Sequence, residues 1–286
     1  MADCTGLRGL MAEAQARSPD LSLSQKPERS LGVSYEALIY EQKDGIGVIT
    51  LNRPQVRNAL NTVLVRELNG LLDDLAKDEE LRVLIITGGN KFFCSGNDLK
   101  EIDPNRLESI RLFFRKLENF DRPVIAAING KCLAGGCEMA LCCDLRIAGE
   151  DAKFGFPEIR FGALAFAGAT QRLPRLVGVA KAKEMHYTGE PIDAQEAYRV
   201  GLVNRVVKPE SVLEEAKKLA ATLVLRWPVA LKMAKYLINT GMRMDLNTAM
   251  EVEAEVAKAL YANPEALLEE MRKAAERETV YKKMWG

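Results

Sequence analysis

The chain has 286 residues, of which 48% are apolar and 28% are charged, as in an ordinary folded protein. Its 40 basic residues balance its 40 acidic residues, so the formal net charge is zero. Such a chain has no overall field to attract DNA, RNA or an anionic membrane, and we expect neither nucleic-acid nor membrane partners. It also lacks an apolar run of the roughly 18 residues that a transmembrane helix needs.

Residues 1–33 are predicted to form a flexible N-terminal extension, whose scattered Asp and Glu residues are untypical of an Arg-rich transit peptide. The six cysteines mostly stand among apolar residues, and no secretory leader is evident. We therefore expect reduced, buried thiols and a cytoplasmic location. The cysteines form no CxxC pair and have no histidine nearby, so the sequence favours no metal site. They occupy positions 4, 94, 132, 137, 142 and 143.

Residues 34–209 are predicted to form an α/β core, because apolar strands alternate with helical patterns. A hairpin is expected at 37–40 and 48–51, a helix at 58–77 and another at 105–118. Two continuous apolar runs, 82–87 and 123–128, are typical of strands buried on both faces. Each is followed by a glycine-rich loop, 88–98 and 130–138, and ligands of α/β folds bind at the carboxyl ends of strands.

Residues 210–286 are predicted to form a C-terminal helical region. Four segments have strongly amphipathic helical patterns, and their apolar faces must be covered by the core or by another subunit. The segments are 211–225, 228–239, 246–261 and 264–278.

The most informative segment is 133–149, LAGGCEMALCCDLRIAG. Gly135 and Gly136 precede an apolar run that contains one carboxylate, Glu138. Two glycines at the start of a helix leave its first backbone N–H groups open to a ligand. These groups carry the positive end of the helix dipole and therefore suit a developing negative charge. A carboxylate one turn further along lies close to whatever binds there.

Several ordered motifs resemble the enoyl-CoA hydratase/isomerase family, the crotonases. They are LNRPQVRNAL, FFCSGNDLKEI, PVIAAINGKCLAGGCEMALCCDLRIAGEDAKFGFPEI, GATQRLPRLVG and TGEPIDAQEAYRVGLVNRVV. The resemblance covers roughly residues 36–286. It implies a Clp protease/crotonase-like spiral of ββα units, a C-terminal helical region that mediates trimers, and a homotrimer or a dimer of trimers.

The resemblance also implies the catalytic residues. The backbone N–H groups of Asn97 and Gly135 match the family's oxyanion hole, which stabilises a thioester enolate. Glu138 and Glu158 match the two glutamates of the hydratases. We assign Glu138 as the base toward water and Glu158 as the proton donor to C2, since two neighbouring carboxylates in a dry site do not easily both ionise.

The remaining predicted site residues belong to two segments. Ser95, Asp98, Leu99 and Lys100 match the stretch that meets the CoA moiety in relatives, and Lys100 is suited to a phosphate. Ala165 and Phe166 stand where hydratases usually carry Pro-Gly. If the Phe166 side chain enters the acyl pocket, the substrate differs from a short linear enoyl chain.

The sequence therefore predicts a lyase that reversibly hydrates a 2-enoyl-CoA to a 3-hydroxyacyl-CoA, with no cofactor beyond the CoA of its substrate. A double-bond isomerase that uses Glu158 alone, or another enolate reaction on an acyl-CoA, is the alternative. An RNA-binding protein is disfavoured by the zero net charge. A serine protease is disfavoured because the single histidine, His186, is expected at a helix end and no nucleophilic serine motif stands near it.

Overall fold

The computed structural model describes residues 34–89, 91–101 and 104–285. The predicted N-terminal extension lies outside these ranges. The chain divides into two compact units, one ending at Ala221 and the other beginning at Thr222. Within the described ranges, no helix combines the length and the apolar composition that crossing a bilayer requires.

The first unit contains all ten strands of the described residues. Six α-helices lie entirely within it. The strands are β1 Leu38–Lys43, β2 Ile46–Leu51, β3 Val83–Thr87, β4 Phe92–Cys94, β5 Val124–Ile128, β6 Lys131–Leu133, β7 Leu145–Gly149, β8 Lys153–Gly155, β9 Ile192–Asp193 and β10 Arg205–Val207. The helices are α1 Thr62–Leu75, α2 Pro104–Glu118, α3 Gly135–Cys142, α4 Ala169–Val177, α5 Val179–Thr188 and α6 Ala194–Arg199. Short 3₁₀ helices span Pro54–Val56, Pro157–Phe161 and Pro209–Ser211.

The strands form two sheets, and successive strands from β3 to β8 alternate between them. The larger sheet has the order β1-β2-β3-β5-β7-β10, and the smaller sheet has the order β4-β6-β8-β9. Thus β3, β5 and β7 enter the larger sheet, and the short strand after each of them enters the smaller one. Two of these strand pairs, β3–β4 and β5–β6, are followed directly by a helix, so the chain repeats a ββα unit.

The predicted hairpin is confirmed. β1 and β2 pair antiparallel from Leu38↔Leu51 to Lys43↔Ile46. Asp44 and Gly45 connect them with φ values of 50° and 79°. A two-residue turn with both φ values positive matches the right-handed twist of the strands, which explains the Asp-Gly sequence.

The core lies around the central strands, as the apolar runs predict. All residues of β3 and β5 are buried, because neighbouring strands flank both and helices cover the sheet. α1 packs its apolar stripe inward, and the side chain of Asn61 caps it by accepting a hydrogen bond from the N–H of Leu64. The stripe consists of Leu64, Val65, Leu68, Leu71, Leu72 and Leu75.

Three helices lie entirely within the second unit: α8 Pro228–Gly241, α9 Leu246–Leu260 and α10 Pro264–Trp285. The helix before them, α7 Val212–Val224, contains the boundary between the two units. A small core within this unit consists of Val229, Met233 and Val256. The four predicted C-terminal helices are therefore confirmed; three have ends within two residues of the prediction, and the last extends to Trp285 instead of ending at residue 278.

Candidate active site

Three neighbouring strand ends bring the candidate catalytic residues to one edge of the smaller sheet. β4, β6 and β8 are parallel, with Cys94 paired to Cys132 and Cys132 paired to Phe154. Asn97 and Gly135 each follow their paired cysteine by three residues, and Glu158 follows Phe154 by four. Because the carboxyl ends of parallel strands meet at one edge, the sheet register itself brings these three residues together.

The backbone N–H of Asn97 takes no part in the pairing between its loop and Leu60. Leu60 donates to the carbonyl of Gly96 over 2.8 Å and accepts from the N–H of Asp98 over 2.8 Å. This parallel bridge uses the peptides on both sides of Asn97 and leaves its own N–H on the opposite face. Among the residues that the structure describes, the N–H of Asn97 has no hydrogen-bond acceptor.

The second free donor is the N–H of Gly135, the first residue of α3. No acceptor for it lies in the described part of the chain, as expected for the first N–H groups of a helix. Ala134 precedes it with φ 52° and ψ −129°, a conformation that costs a non-glycine residue about 1–3 kcal/mol. The backbone is thus held in a strained shape where the helix N-terminus faces the Asn97 loop.

Glycine is required where α3 passes β4. A Cβ atom on Gly136 would lie 2.2 Å from the carbonyl oxygen of Cys94, closer than any side chain allows. A Cβ atom on Gly96 would lie 2.5 Å from the Cβ of Ala134 and 3.2 Å from the nitrogen of Gly135. The absent side chains let the two donor-bearing segments approach each other.

Glu138 lies one turn into α3 and is only 2% exposed. Its Oε1 accepts hydrogen bonds from the N–H groups of Ala167, over 2.7 Å, and Ala169, over 3.2 Å. Burial raises the pKa of this carboxyl, while the two N–H donors and the positive charge of Arg172 act against the rise. Ala169 is the first residue of α4, so the carboxylate also faces the positive end of that helix.

Glu158 lies in the 3₁₀ helix Pro157–Phe161. Its Oε2 is buried without a hydrogen-bond partner among the described residues. Burial raises the pKa of this carboxyl to about 7, and the nearby charge of Glu138 adds to the rise. The site therefore holds two carboxyls with different surroundings, one bound to two N–H groups and one with an open buried oxygen.

The other sequence-predicted residues lie around the Asn97 loop. Asp98 forms an ion pair with Arg53, with 3.2 Å between Oδ2 and Nη2, and both side chains are mostly buried. The N–H of Ser95 donates to the carbonyl of Arg57 over 3.1 Å. Leu99 is 75% exposed and Lys100 is exposed, so both present their side chains to solvent.

Phe166 lies beside the peptide that binds Glu138. Its side chain is 43% exposed, whereas its neighbours Ala165 and Ala167 are buried. The N–H of Ala167 donates to Glu138, so Phe166 directly precedes the residue that binds the candidate catalytic carboxylate.

Several supporting residues were not predicted. Arg53 holds the Asn97 loop through Asp98, and the Nδ2 of Asn58 donates to the carbonyls of Gly88 and Phe92 over 2.8 and 3.0 Å. Both lie within the LNRPQVRNAL motif, which was used only to identify the family. Half of the residues of this motif are polar, so nothing in the sequence singles out these two as buried anchors.

Five cysteines of the described chain are free and buried, as expected, and Cys4 lies outside it. No group of histidine, cysteine or acidic side chains suited to a metal ion is found in the described ranges. His186 lies in the last turn of α5, as predicted, where its ring stacks on Phe156 with 4.5 Å between the centroids.

Comparisons with known proteins agree with this geometry. The sequence profile of the enoyl-CoA hydratase/isomerase family matches residues 41–282. Crotonyl-CoA hydratase of Syntrophomonas wolfei is 41% identical over 238 residues, which is 80% of this chain and 92% of that protein. Short-chain-enoyl-CoA hydratase of Clostridium acetobutylicum is 42% identical over 226 residues, 76% of this chain and 87% of that protein.

The crystal structure of enoyl-CoA hydratase from Bacillus anthracis superimposes with a TM-score of 0.78 at 37% sequence identity, covering 81% of this chain and 93% of that one. The alternating ββα units and this superposition confirm the predicted crotonase fold. The chain belongs to the enoyl-CoA hydratase/isomerase family.

Proposed function

We propose that this protein is a lyase that reversibly hydrates a 2-enoyl-CoA to a 3-hydroxyacyl-CoA. The observation that carries the proposal is the presence of two carboxyls, the buried Glu138 and Glu158 with its buried Oε2, beside two free backbone N–H groups. The names of the most similar relatives, crotonyl-CoA hydratase and short-chain-enoyl-CoA hydratase, support the same reaction.

In the proposed mechanism, the thioester oxygen accepts hydrogen bonds from the N–H groups of Asn97 and Gly135. Water addition at C3 moves electrons onto this oxygen and generates an enolate. Both donors are fixed by the backbone before substrate arrives, so they stabilise the developing charge without reorganising. Loss of one such donor typically costs roughly 3–4 kcal/mol of barrier lowering.

The two glutamates then divide the proton transfers. Glu138 accepts a proton from the attacking water, and Glu158 delivers a proton to C2 on the same face, which gives syn addition. The hydrogen bonds from Ala167 and Ala169 favour the ionised form of Glu138. The pKa of about 7 at Glu158 supports its role as the proton donor at neutral pH.

We further propose that Ser95, Asp98, Leu99, Lys100 and Phe166 border the bound acyl-CoA, with Lys100 near a phosphate. Asp98 would act there through its backbone, because its carboxylate is bound to Arg53. No cofactor is needed for proton transfers between water, carboxyls and an activated thioester. We also propose a homotrimer or a dimer of trimers that works in the cytoplasm, where the five buried thiols would stay reduced.

The second candidate is a double-bond isomerase of the same fold. It is favoured by one observation, the unpartnered Oε2 of Glu158, because a single carboxyl with a raised pKa can shuttle a proton between C2 and C4. Glu138 would then only hold the loop that contains Ala167.

The two candidate activities change the absorbance of the conjugated enoyl thioester in opposite directions. Purified protein is given short linear, long linear, branched and cyclic 2-enoyl-CoAs, together with 3-enoyl-CoAs. A hydratase lowers the absorbance of a 2-enoyl-CoA and forms the 3-hydroxyacyl-CoA. If no 2-enoyl-CoA loses absorbance and a 3-enoyl-CoA gains it, the isomerase function replaces the hydratase function.

A further inference from the structure

We propose that the ion pair of Arg172 and Glu118 is a positioning device for Glu138, acting through the peptide of Ala167. This inference rests on the proposed function only in taking Glu138 as the base. Neither Arg172 nor Glu118 touches the reacting atoms in this scheme, so both are positioning residues.

The peptide groups of Ala167 link Glu138 to Arg172. The N–H of Ala167 donates to Oε1 of Glu138 over 2.7 Å, and its carbonyl oxygen accepts from Nη1 of Arg172 over 2.9 Å. A displacement of the guanidinium therefore displaces the residue that orients the carboxylate. The second donor to Oε1 of Glu138 is the N–H of Ala169, which is the first residue of α4 and lies two residues further along the chain.

The guanidinium is itself held in one orientation. Its Nε and Nη2 donate to the two carboxylate oxygens of Glu118 over 2.9 and 3.0 Å, a bidentate geometry that only arginine provides. Glu118 is the last residue of α2, which packs against α3, the helix that carries Glu138. The ion pair thus ties the Ala167 loop to the framework of the catalytic helix.

The absence of a side chain at Gly168 leaves space for the guanidinium of Arg172. Its φ of 116° suits glycine, and a Cβ atom there would lie 1.8 Å from Nη1 of Arg172. The two side chains of the ion pair are about four-fifths buried, at 19% and 23% exposed. The pair is therefore shielded enough from water for its geometry and charge to influence Glu138.

Several groups set the electrostatics around Glu138. Burial raises its pKa and Arg172 lowers it, and the charge of Glu138 in turn raises the pKa of Glu158. Glu118 is bound to Arg172 and carries the opposite charge, and the buried thiol of Cys142 lies near both groups. We therefore expect the two halves of the ion pair to shift the pKa of Glu138 in opposite directions.

These opposite shifts provide a test, because two residues that only stabilised the fold would not move the pKa of Glu138 in opposite directions. In Arg172→Gln the positive charge is lost, and we expect the acid limb of the pH profile of kcat/KM to move to higher pH. In Glu118→Gln the charge of Arg172 is no longer offset, and we expect the limb to move to lower pH. In Arg172→Lys the charge remains but the bidentate fork is lost, so kcat falls about tenfold to hundredfold with a much smaller shift of the limb.

A direct readout accompanies the kinetics. The carboxyl resonance of Glu138 is followed through a pH titration in ¹³C-glutamate-labelled protein and assigned by its absence in Glu138→Gln. Opposite displacements of its titration midpoint in Arg172→Gln and Glu118→Gln support the proposal. Equal midpoints in both variants, or displacements in the same direction, overturn it. This titration does not depend on turnover, so a wild-type protein that hydrates no enoyl-CoA overturns the proposed function alone.

Discussion

A Cβ atom placed on Gly135 would lie 3.6 Å from the backbone nitrogen of Asn97. The two N–H donors therefore border the same small space, which is the space that we propose for the thioester oxygen. Neither donor belongs to the long buried strands of the larger sheet. They meet because Cys94 of β4 pairs with Cys132 of β6 and each chain segment continues for three residues beyond this pair.

The first prediction concerns this space. Gly135→Ala adds a methyl group 3.6 Å from the Asn97 nitrogen and 3.3 Å from the side chains of Asn97 and Leu60, which must give way by a few tenths of an ångström. We expect kcat to fall about 100- to 1000-fold because the methyl group occupies the space between the two N–H groups and keeps the oxyanion from reaching both, with a smaller loss of melting temperature than in Gly136→Ala. Steady-state kinetics and thermal unfolding measure the two effects.

Two other glycines serve as controls. Gly136→Ala places its methyl group 2.2 Å from the Cys94 carbonyl and should reduce stability as well as activity. Gly70→Ala lies in α1 with no atom within 4 Å of the new methyl group, and should keep full activity while gaining about 0.5–1 kcal/mol of stability. Wild-type turnover in Gly135→Ala would refute the assignment of the oxyanion hole.

The second prediction concerns pH. Glu158 must be protonated to deliver a proton to C2, and its pKa is raised to about 7. We therefore expect the kcat of hydration to fall as pH rises through about 7. Dehydration starts from the same pair of carboxyls with the single proton on Glu138, and this proton is also lost as pH rises, so its rate should fall over the same range. Initial rates in both directions between pH 5 and 9 measure this, and rates that stay constant as pH rises through about 7 would exclude Glu158 as the proton carrier.

The third prediction concerns stability. The pKa of Glu158 is higher in the folded protein than the ordinary value of 4.5, so the charge of Glu158 destabilises the fold above pH 7 and has no effect below about pH 4.5. Glu158→Gln should therefore stabilise the protein at pH 8 by about 1–2 kcal/mol, a value discounted for partial exposure, and change little at pH 4.5. Thermal unfolding at the two pH values measures the difference.

Glu196 provides the control of opposite sign. Hydrogen bonds from Arg199 and Lys181 lower its pKa to about 2. Its charge is favourable in the folded state, so Glu196→Gln should lower the melting temperature at neutral pH rather than raise it. If both substitutions had the same effect at pH 8, the stabilisation at Glu158 would have another cause.

The fourth prediction concerns acyl-chain preference. Phe166 is adjacent to Ala167, which binds Glu138, and it stands where the family usually has glycine. Phe166→Ala should increase kcat/KM for branched or longer enoyl-CoAs relative to the short linear one, since one extra methylene is worth about 1–3 kcal/mol in such a pocket. Competition between paired substrates measures the ratio. An unchanged ratio would place the side chain outside the acyl pocket.

Much of the larger sheet could be predicted from the sequence, because its strands are continuous apolar runs such as 83–87 and 124–128. The short strands β4, β6 and β8 could not, since three residues are too few for a periodic signal. The glycine-rich loops were therefore attributed to the long strands, although Asn97 and Gly135 follow the short ones. α4 and α6 were not predicted either, and α5 only through the expectation that His186 lies at a helix end.

The pair Gly135 and Glu138 was predictable from local chemistry, because both lie within one turn of one helix. The contacts of Glu138 with Ala167 and Ala169 were not, because nothing in an alanine-rich loop indicates where its N–H groups point. The partnership of Asp98 with Arg53 joins residues 45 positions apart and depends on tertiary structure.

The central claim is that both carboxyls are needed for hydration. We would measure kcat for 2-enoyl-CoA hydration and for 3-enoyl-CoA isomerisation in Glu138→Gln and Glu158→Gln, two substitutions that preserve size and remove charge. We expect each substitution to lower hydration by a factor of about 100 or more while KM changes little. If Glu138→Gln keeps wild-type rates and only Glu158→Gln is inactive, in isomerisation as in hydration, the two-carboxylate mechanism is wrong.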